Sequence, residues 1–313
     1  MTNSKKNVKK TSEKDSSTNK PRNHVVQDAT SPFTFNFKQF GSQKSVTVNQ
    51  TADEDTWPGG ALWDISVLLA RVLVMVNTPP PSSSSSAKDK KELFVPRLRS
   101  PGIWPKIWKD CSVLELGCGV GLTGLVAATL GARLTLLTDL YVVVDKVAKP
   151  NVEINKSNFG LGQRVLALPL SWGNKEDEDA CKAILASIDK KSSSSSPPRR
   201  KVKKGKGKGK AQSSTATDIC GLQNESNSDP SIILIGDVAY QHKPGAPSHF
   251  DILLSTLLKF ATTRETVVVF GTRMRMPASA DLLSMFKEHF DEIIAPVAAH
   301  EMDHKFHSDN LGR

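Results

Sequence analysis

Cysteine is scarce in this chain: its 313 residues include four (Cys111, Cys118, Cys181 and Cys220), and none are spaced as C-x-x-C. That number and spacing exclude a disulfide scaffold and point to a reducing compartment. An apolar leader is also missing. The first 22 residues hold seven Lys/Arg and two acids, which argues against a secretory signal, and being Lys-rich rather than Arg-rich they are a poor match to a mitochondrial presequence. The most apolar stretch, Ser66 to Val76, is short and contains Arg71, so the sequence offers no bilayer-spanning run. Acids are absent from residues 190–210, which carry ten Lys/Arg. The chain's net charge of +10 is therefore concentrated in two low-complexity stretches, and the remainder is mildly acidic at −5. This argues against a basic nucleic-acid face built into the core and leaves such contact to the basic insert.

The remaining sequence has a regular texture. Residues 1–30 read as a disordered basic tail, and 31–313 as one domain with low-complexity inserts at 79–91 and 190–228. Phe33, Phe35 and Phe37, then Val46 and Val48, alternate around Gly41 as a β-hairpin does. Asp64 or Ser66 caps a helix running through Val67 to Met75. From Ser112 onward, apolar β-runs alternate with helical patterns. Strands are predicted at Val113 to Leu116, Leu134 to Thr138, Val165 to Leu170, Ser231 to Ile235, Thr266 to Phe270 and Glu292 to Val297. Helices are predicted at Leu122 to Leu130, Tyr141 to Lys149 with Pro150 breaking or restarting it, Phe250 to Phe260 and Ala278 to Phe290, with a short helix between Asn174 and Asp229. The pattern predicts an α/β fold with a doubly wound, mostly parallel sheet, whose ligands sit at the carboxyl ends of its strands.

The strongest local signal lies at one such end, in Glu115-Leu116-Gly117-Cys118-Gly119-Val120-Gly121-Leu122-Thr123-Gly124. Glycines let a backbone take positive φ and approach a ligand closely. Twenty residues past Gly119, Asp139 ends the next predicted strand, where a carboxylate can accept both hydroxyls of a ribose. Gly119, Gly121 and Gly124 also satisfy the dinucleotide pattern G-x-G-x-x-G, a weak match by itself. The register favours another reading, with Gly117 at the strand end and Glu115 before it. An acid there suits a ligand with a cationic amino-acid end and repels a pyrophosphate, which favours S-adenosylmethionine over NAD.

Here the sequence resembles the seven-strand protein-lysine methyltransferases of the methyltransferase-16 group, from about Phe33 to His300 with the inserts set aside. Four stretches carry the resemblance: Gly60-Ala61-Leu62-Trp63-Asp64, the glycine turn Val113 to Gly124, Leu170-Ser171-Trp172-Gly173, and Asp237-Val238-Ala239-Tyr240, which matches the group's D-x-x-Y. The resemblance implies a Rossmann-like class I fold using S-adenosylmethionine as cofactor. It implies that Trp63 packs near the methionine part, that Gly117, Cys118 and Gly119 follow its backbone, and that Asp139 holds the ribose. Trp172 then lies against the adenine, Gly236 lines the pocket, and the catalytic pair Asp237 and Tyr240 faces the substrate lysine. The implied partner is a lysine-bearing protein of the chaperone, ATPase or elongation-factor type.

Plainer roles stand beside these. Trp63 and Trp172 could be core aromatics, Tyr240 a surface residue at a helix start, and Asp237 an N-cap. A base-modifying enzyme would carry [DN]-P-P-[YFW], whereas this chain has Asp-Val-Ala-Tyr. A small-molecule methyltransferase or an inactive S-adenosylmethionine binder would look the same in its cofactor half. His300-Glu301-Met302-Asp303-His304 is a literal H-E-x-x-H, but it follows a predicted strand and has no apolar helix around it, so no metal is expected. The family's final strand is not legible after His304. The expectation is a monomeric enzyme of the cytosol, with the nucleus open as well, and no membrane contact.

Overall fold

A computed structural model describes residues 30–38, 42–77, 108, 111–192, 229–238, 249–272 and 277–290. Strands β1 (Phe33–Asn36) and β2 (Ser45–Val48) pair antiparallel, with Phe33 opposite Val48 and Phe35 opposite Val46. The period-two pattern buries these four side chains and leaves Thr34 and Asn36 exposed. A short 3-10 turn (Glu54–Thr56) leads to helix α1 (Asp64–Asn77).

The main sheet contains β3 (Ser112–Leu116), β4 (Leu134–Asp139), β5 (Arg164–Pro169), β6 (Ile232–Gly236) and β7 (Val267–Gly271). Its order is β5-β4-β3-β6-β7, and every pair is parallel. The central strands β3, β4 and β6 are buried along nearly their whole length, which explains their continuous apolar runs. Successive residues feed opposite faces. Val113, Ile232 and Leu234 pack on the side of the hairpin and α1. Leu114, Leu116, Ile233 and Ile235 pack on the other side, with Phe250, Leu253 and Leu257.

Helix α2 (Leu122–Leu130) starts after Gly121 and stops at Gly131, whose φ of +118° ends it in the left-handed conformation. After β4, α3 (Tyr141–Val143), a π turn (Val144–Ala148) and α4 (Lys149–Ile154) run on without a break. Pro150 sits in the first turn of α4, so the α-helical pattern restarts there after the π turn rather than ending. The remaining helices are α5 (Lys175–Ser192), α6 (Phe250–Phe260) and α7 (Pro277–His289).

The expected short helix after the third parallel strand is in fact 18 residues long. Asn174 caps it by accepting the Glu176 and Asp177 N–H groups, acids fill its first turn, and Cys181 and Leu185 bury one face. The doubly wound, mostly parallel sheet with an N-terminal hairpin is the Rossmann-like class I arrangement that was expected. The predicted strand Glu292 to Val297, the H-E-x-x-H stretch and Tyr240 lie outside the described residues, as do residues 1–29 and most of both inserts.

Candidate functional site

The sheet order reverses direction between β3 and β6, and ligands of such sheets bind outside the carboxyl ends at that point. The glycine turn emerges there from β3, with φ of +70° at Gly117, +52° at Gly119 and +79° at Gly121. Cys118 donates its N–H to Thr138 O (2.9 Å) and accepts that of Gly121 (2.8 Å), so the loop folds back over the end of β4. Asp139 closes the arrangement. Its Oδ2 accepts the Gly119 N–H and its Oδ1 the Leu140 N–H, each at 2.8 Å. Burial pushes the Asp139 carboxyl up from its ordinary range, and those two hydrogen bonds pull it partly back. Each oxygen keeps a lone pair for a further donor.

Neighbouring loops close on this turn. A Cβ on Gly117 would lie 2.7 Å from Val238 Cγ1 and 3.5 Å from Trp172 Cζ2, so the β3, β5 and β6 ends meet at this residue. A Cβ on Gly119 would come within 3.0 Å of the Gly59 carbonyl oxygen. The Trp57–Gly60 turn therefore lies on the loop. Trp63, half-buried, donates Nε1–H to Pro58 O (3.1 Å) and packs against Trp57 with ring centroids 5.8 Å apart. Lys146 bridges Asp53 and Asp55, tying this segment to the π turn. That contact holds the Lys146 amine above its usual value and the Asp53 carboxyl below its own.

Asp237 is nearly buried at the end of β6 and takes φ +55°, the one positive φ outside glycine among the described residues. Its N–H donates to Gly271 O at 2.8 Å, which fixes this sparsely populated backbone. Gly236, just before it, faces Leu69 and Ser66 of α1. Trp172 is held by its neighbours: Gly173 N–H donates to Thr256 Oγ1 (2.9 Å), and that hydroxyl donates to the buried Glu178 carboxylate (3.0 Å). Lys259 binds the other Glu178 oxygen at 2.6 Å.

Glu115 and Cys118 are placed differently from their neighbours in the motif. Glu115 is buried beneath the start of α2, where its Oε2 accepts the Gly124 N–H (3.0 Å). Loss of hydration pushes its carboxyl up to about 8. Buried and bonded to the start of α2, it supports the loop from below. The Cys118 thiol is buried near both carboxyl groups, and burial drives it well above its ordinary range. It is held as a neutral thiol, the unreactive form.

Several residues had no role at the site assigned to them from sequence alone. Leu140 and Tyr141 follow Asp139 and are more than half exposed, so apolar surface flanks the carboxylate. Large apolar residues directly after a strand-ending acid were the legible sign. Thr256 and Glu178 carried no such sign, because they meet only in three dimensions. Among the described residues no group of three or more His, Cys, Asp or Glu could hold a metal, and no helix is long and apolar enough to cross a membrane.

The geometry fits an adenosine-containing ligand in two respects: the strand-end carboxylate keeps acceptor capacity, and half-buried Trp172 and exposed Leu140 offer apolar surface on the same rim. Residues 42–188, just under half of the chain, match the family model described as lysine methyltransferase. Curated relatives include the ribosomal protein L11 methyltransferase of Acetivibrio thermocellus, 44% identical over 52 residues (16% of this chain, 17% of the relative). The enzyme of the same name from Ruminiclostridium cellulolyticum is 43% identical over 79 residues (25% and 24%). Protein N-lysine methyltransferase METTL21A of Mus musculus is 42% identical over 65 residues (21% and 28%). The matches span less than a third of each of these relatives.

Proposed function

We propose, from the match of residues 42–188 to the lysine methyltransferase family model, that this protein transfers a methyl group from S-adenosylmethionine to a lysine amine of a protein substrate. The observation that carries the reading is the carboxylate of Asp139, gripped by the Gly119 N–H at the reversal point of a parallel sheet. A glycine turn used only for tight packing would not need a strand-end acid with spare acceptor capacity. The names of all three relatives specify protein substrates, which favours a protein over a small molecule or a nucleic acid.

The cofactor supplies an electrophilic methyl group on a sulfonium, and its transfer is an in-line displacement that depends mainly on positioning. In this reading Asp139 accepts the ribose hydroxyls, Trp172 and Leu140 flank the adenine, and Trp63 lies by the methionine part. Gly117, Cys118 and Gly119 follow the cofactor's length, Gly236 lines the floor, and Glu115 holds the loop in place. Asp237 and Tyr240 face the incoming lysine. Asp237 orients the amine rather than deprotonating it, since a nearby carboxylate raises an amine's pKa. Desolvation in a half-closed site works in the opposite direction and frees the lone pair. The division into a basic tail, 1–30, and one domain, 31–313, belongs to the same proposal, as do a monomeric state and a cytosolic setting.

The test is transfer of labelled methyl groups from S-adenosylmethionine into protein, followed by amino-acid analysis of the hydrolysate. Methylated lysine supports the proposal. Label on another amino acid, in nucleic acid or only in small molecules overturns it.

A further inference from the structure

Asn151, Asn155 and Asn158 stand four and three residues apart, a helical spacing that presents them to the outer edge of β2. Their carboxamides pair with that edge as a third strand would. Asn155 accepts the Thr47 N–H (3.1 Å) and donates to Thr47 O (2.7 Å). Asn151 does the same at Asn49, accepting at 2.8 Å and donating at 3.0 Å. Asn158 donates to Ser45 O at 2.7 Å. Alternate residues of β2 turn their backbone groups away from β1, so this edge would otherwise be open.

The two buried amides differ in where the second amide hydrogen goes, and Asn155 Oδ1 also accepts from Asn158 (3.3 Å). The second amide hydrogen of Asn155 returns to its own helix, at Asn151 O (2.7 Å). That of Asn151 reaches Val120 O in the glycine turn at 2.9 Å. Val120 lies between two glycines of positive φ, where no side chain resists rotation of the peptide. A peptide plane turns as a unit, so holding the Val120 carbonyl also fixes the direction of the Gly121 N–H, which donates to Cys118 O.

We infer that Asn151 is a positioning residue for the cofactor loop: its carboxamide locks the Val120–Gly121 peptide and couples the loop to the docked hairpin. This rests on the reading that the loop receives S-adenosylmethionine. Asn155 is the matched control, equally buried and bonded to the same strand but not to the loop.

The experiment measures the calorimetric affinity of S-adenosylhomocysteine and the thermal midpoint for the full chain, Asn151→Ala and Asn155→Ala. Both variants should lose thermal stability. Asn151→Ala should also weaken binding about tenfold, the scale of one hydrogen bond, while Asn155→Ala stays within about twofold of wild type. Serine variants replace the alanine pair if either fails to fold. Equal weakening in both variants, or in neither, overturns the inference and leaves the cofactor reading standing. A wild-type chain that does not bind S-adenosylhomocysteine overturns both together.

Discussion

Gly119 donates its N–H to Asp139 Oδ2 across 2.8 Å, joining residues twenty apart in sequence at the carboxyl edge of adjacent parallel strands. This bond aligns the glycine turn with the acid that the proposed function assigns to a ribose. Because the carboxylate is half-buried and held by backbone donors, its orientation is set before any ligand arrives.

Removing that acid should weaken cofactor recognition. Asp139→Ala forfeits two charge-assisted hydrogen bonds, so the affinity for S-adenosylhomocysteine should fall on the order of a hundredfold by calorimetry. Burial raises the Asp139 carboxyl, and acceptance of two hydroxyls needs the ionised form. Wild-type affinity should therefore decline as pH falls, beginning above the ordinary aspartate value of about 3.9. Unchanged affinity in the variant would remove Asp139 from the cofactor's contacts.

The substrate role proposed for Asp237 can be tested apart from cofactor binding. The residue's φ of +55° carries a steric cost of about 1 kcal/mol for a residue with a Cβ that glycine does not bear. Asp237→Gly keeps that backbone conformation accessible and should hold cofactor affinity within about twofold, yet lose methyl transfer. Full transfer by this variant would deny Asp237 a substrate role.

Glu115 should leave a signature in the pH dependence of folding. Its carboxyl is raised to about 8 in the folded state, against about 4.3 in an unfolded chain. Between those values the unfolded chain gives up a proton that the folded one keeps, so stability falls as pH rises. The slope reaches about 1.4 kcal/mol per pH unit and flattens above the folded-state value. Glu115→Gln removes this contribution, so the wild-type minus variant difference, measured by urea unfolding, should shrink steadily from about pH 4.5 to about 8. A difference that does not vary with pH would show that Glu115 is ionised when folded.

Thr256 ties the Trp172 loop to two helices. Thr256→Val preserves shape but leaves the Gly173 N–H without its acceptor and the buried Glu178 without one donor. Unfolding free energy should drop by about 1–3 kcal/mol. A loss below about 0.5 kcal/mol would mean that water replaces the hydroxyl.

The fold was legible because its central strands are buried on both faces and its helices have clear stops. Val113 to Leu116 and Leu122 to Leu130 could be placed almost to the residue, the helix being bracketed by Gly121 and Gly131. Helix α5 was underestimated: its polar composition masked a narrow buried face carried by Cys181 and Leu185. The glycine turn and Asp139 could be read from spacing along the chain. Glu115 was legible as an important acid but not by direction, because strand position alone does not say whether a side chain points to a pocket or under a helix. The Gly173–Thr256–Glu178 chain and the Asn151–Val120 contact join distant segments, so no local pattern marks their partners.

The central claim is methyl transfer to protein lysine, tested most directly by incubating the full chain and its Asp237→Ala variant with a cell lysate and methyl-labelled S-adenosylmethionine. The account predicts a discrete, nuclease-resistant labelled protein band that yields methylated lysine on hydrolysis and disappears with the variant. Label confined to nucleic acid or small molecules, or a band of equal intensity with the variant, would contradict it.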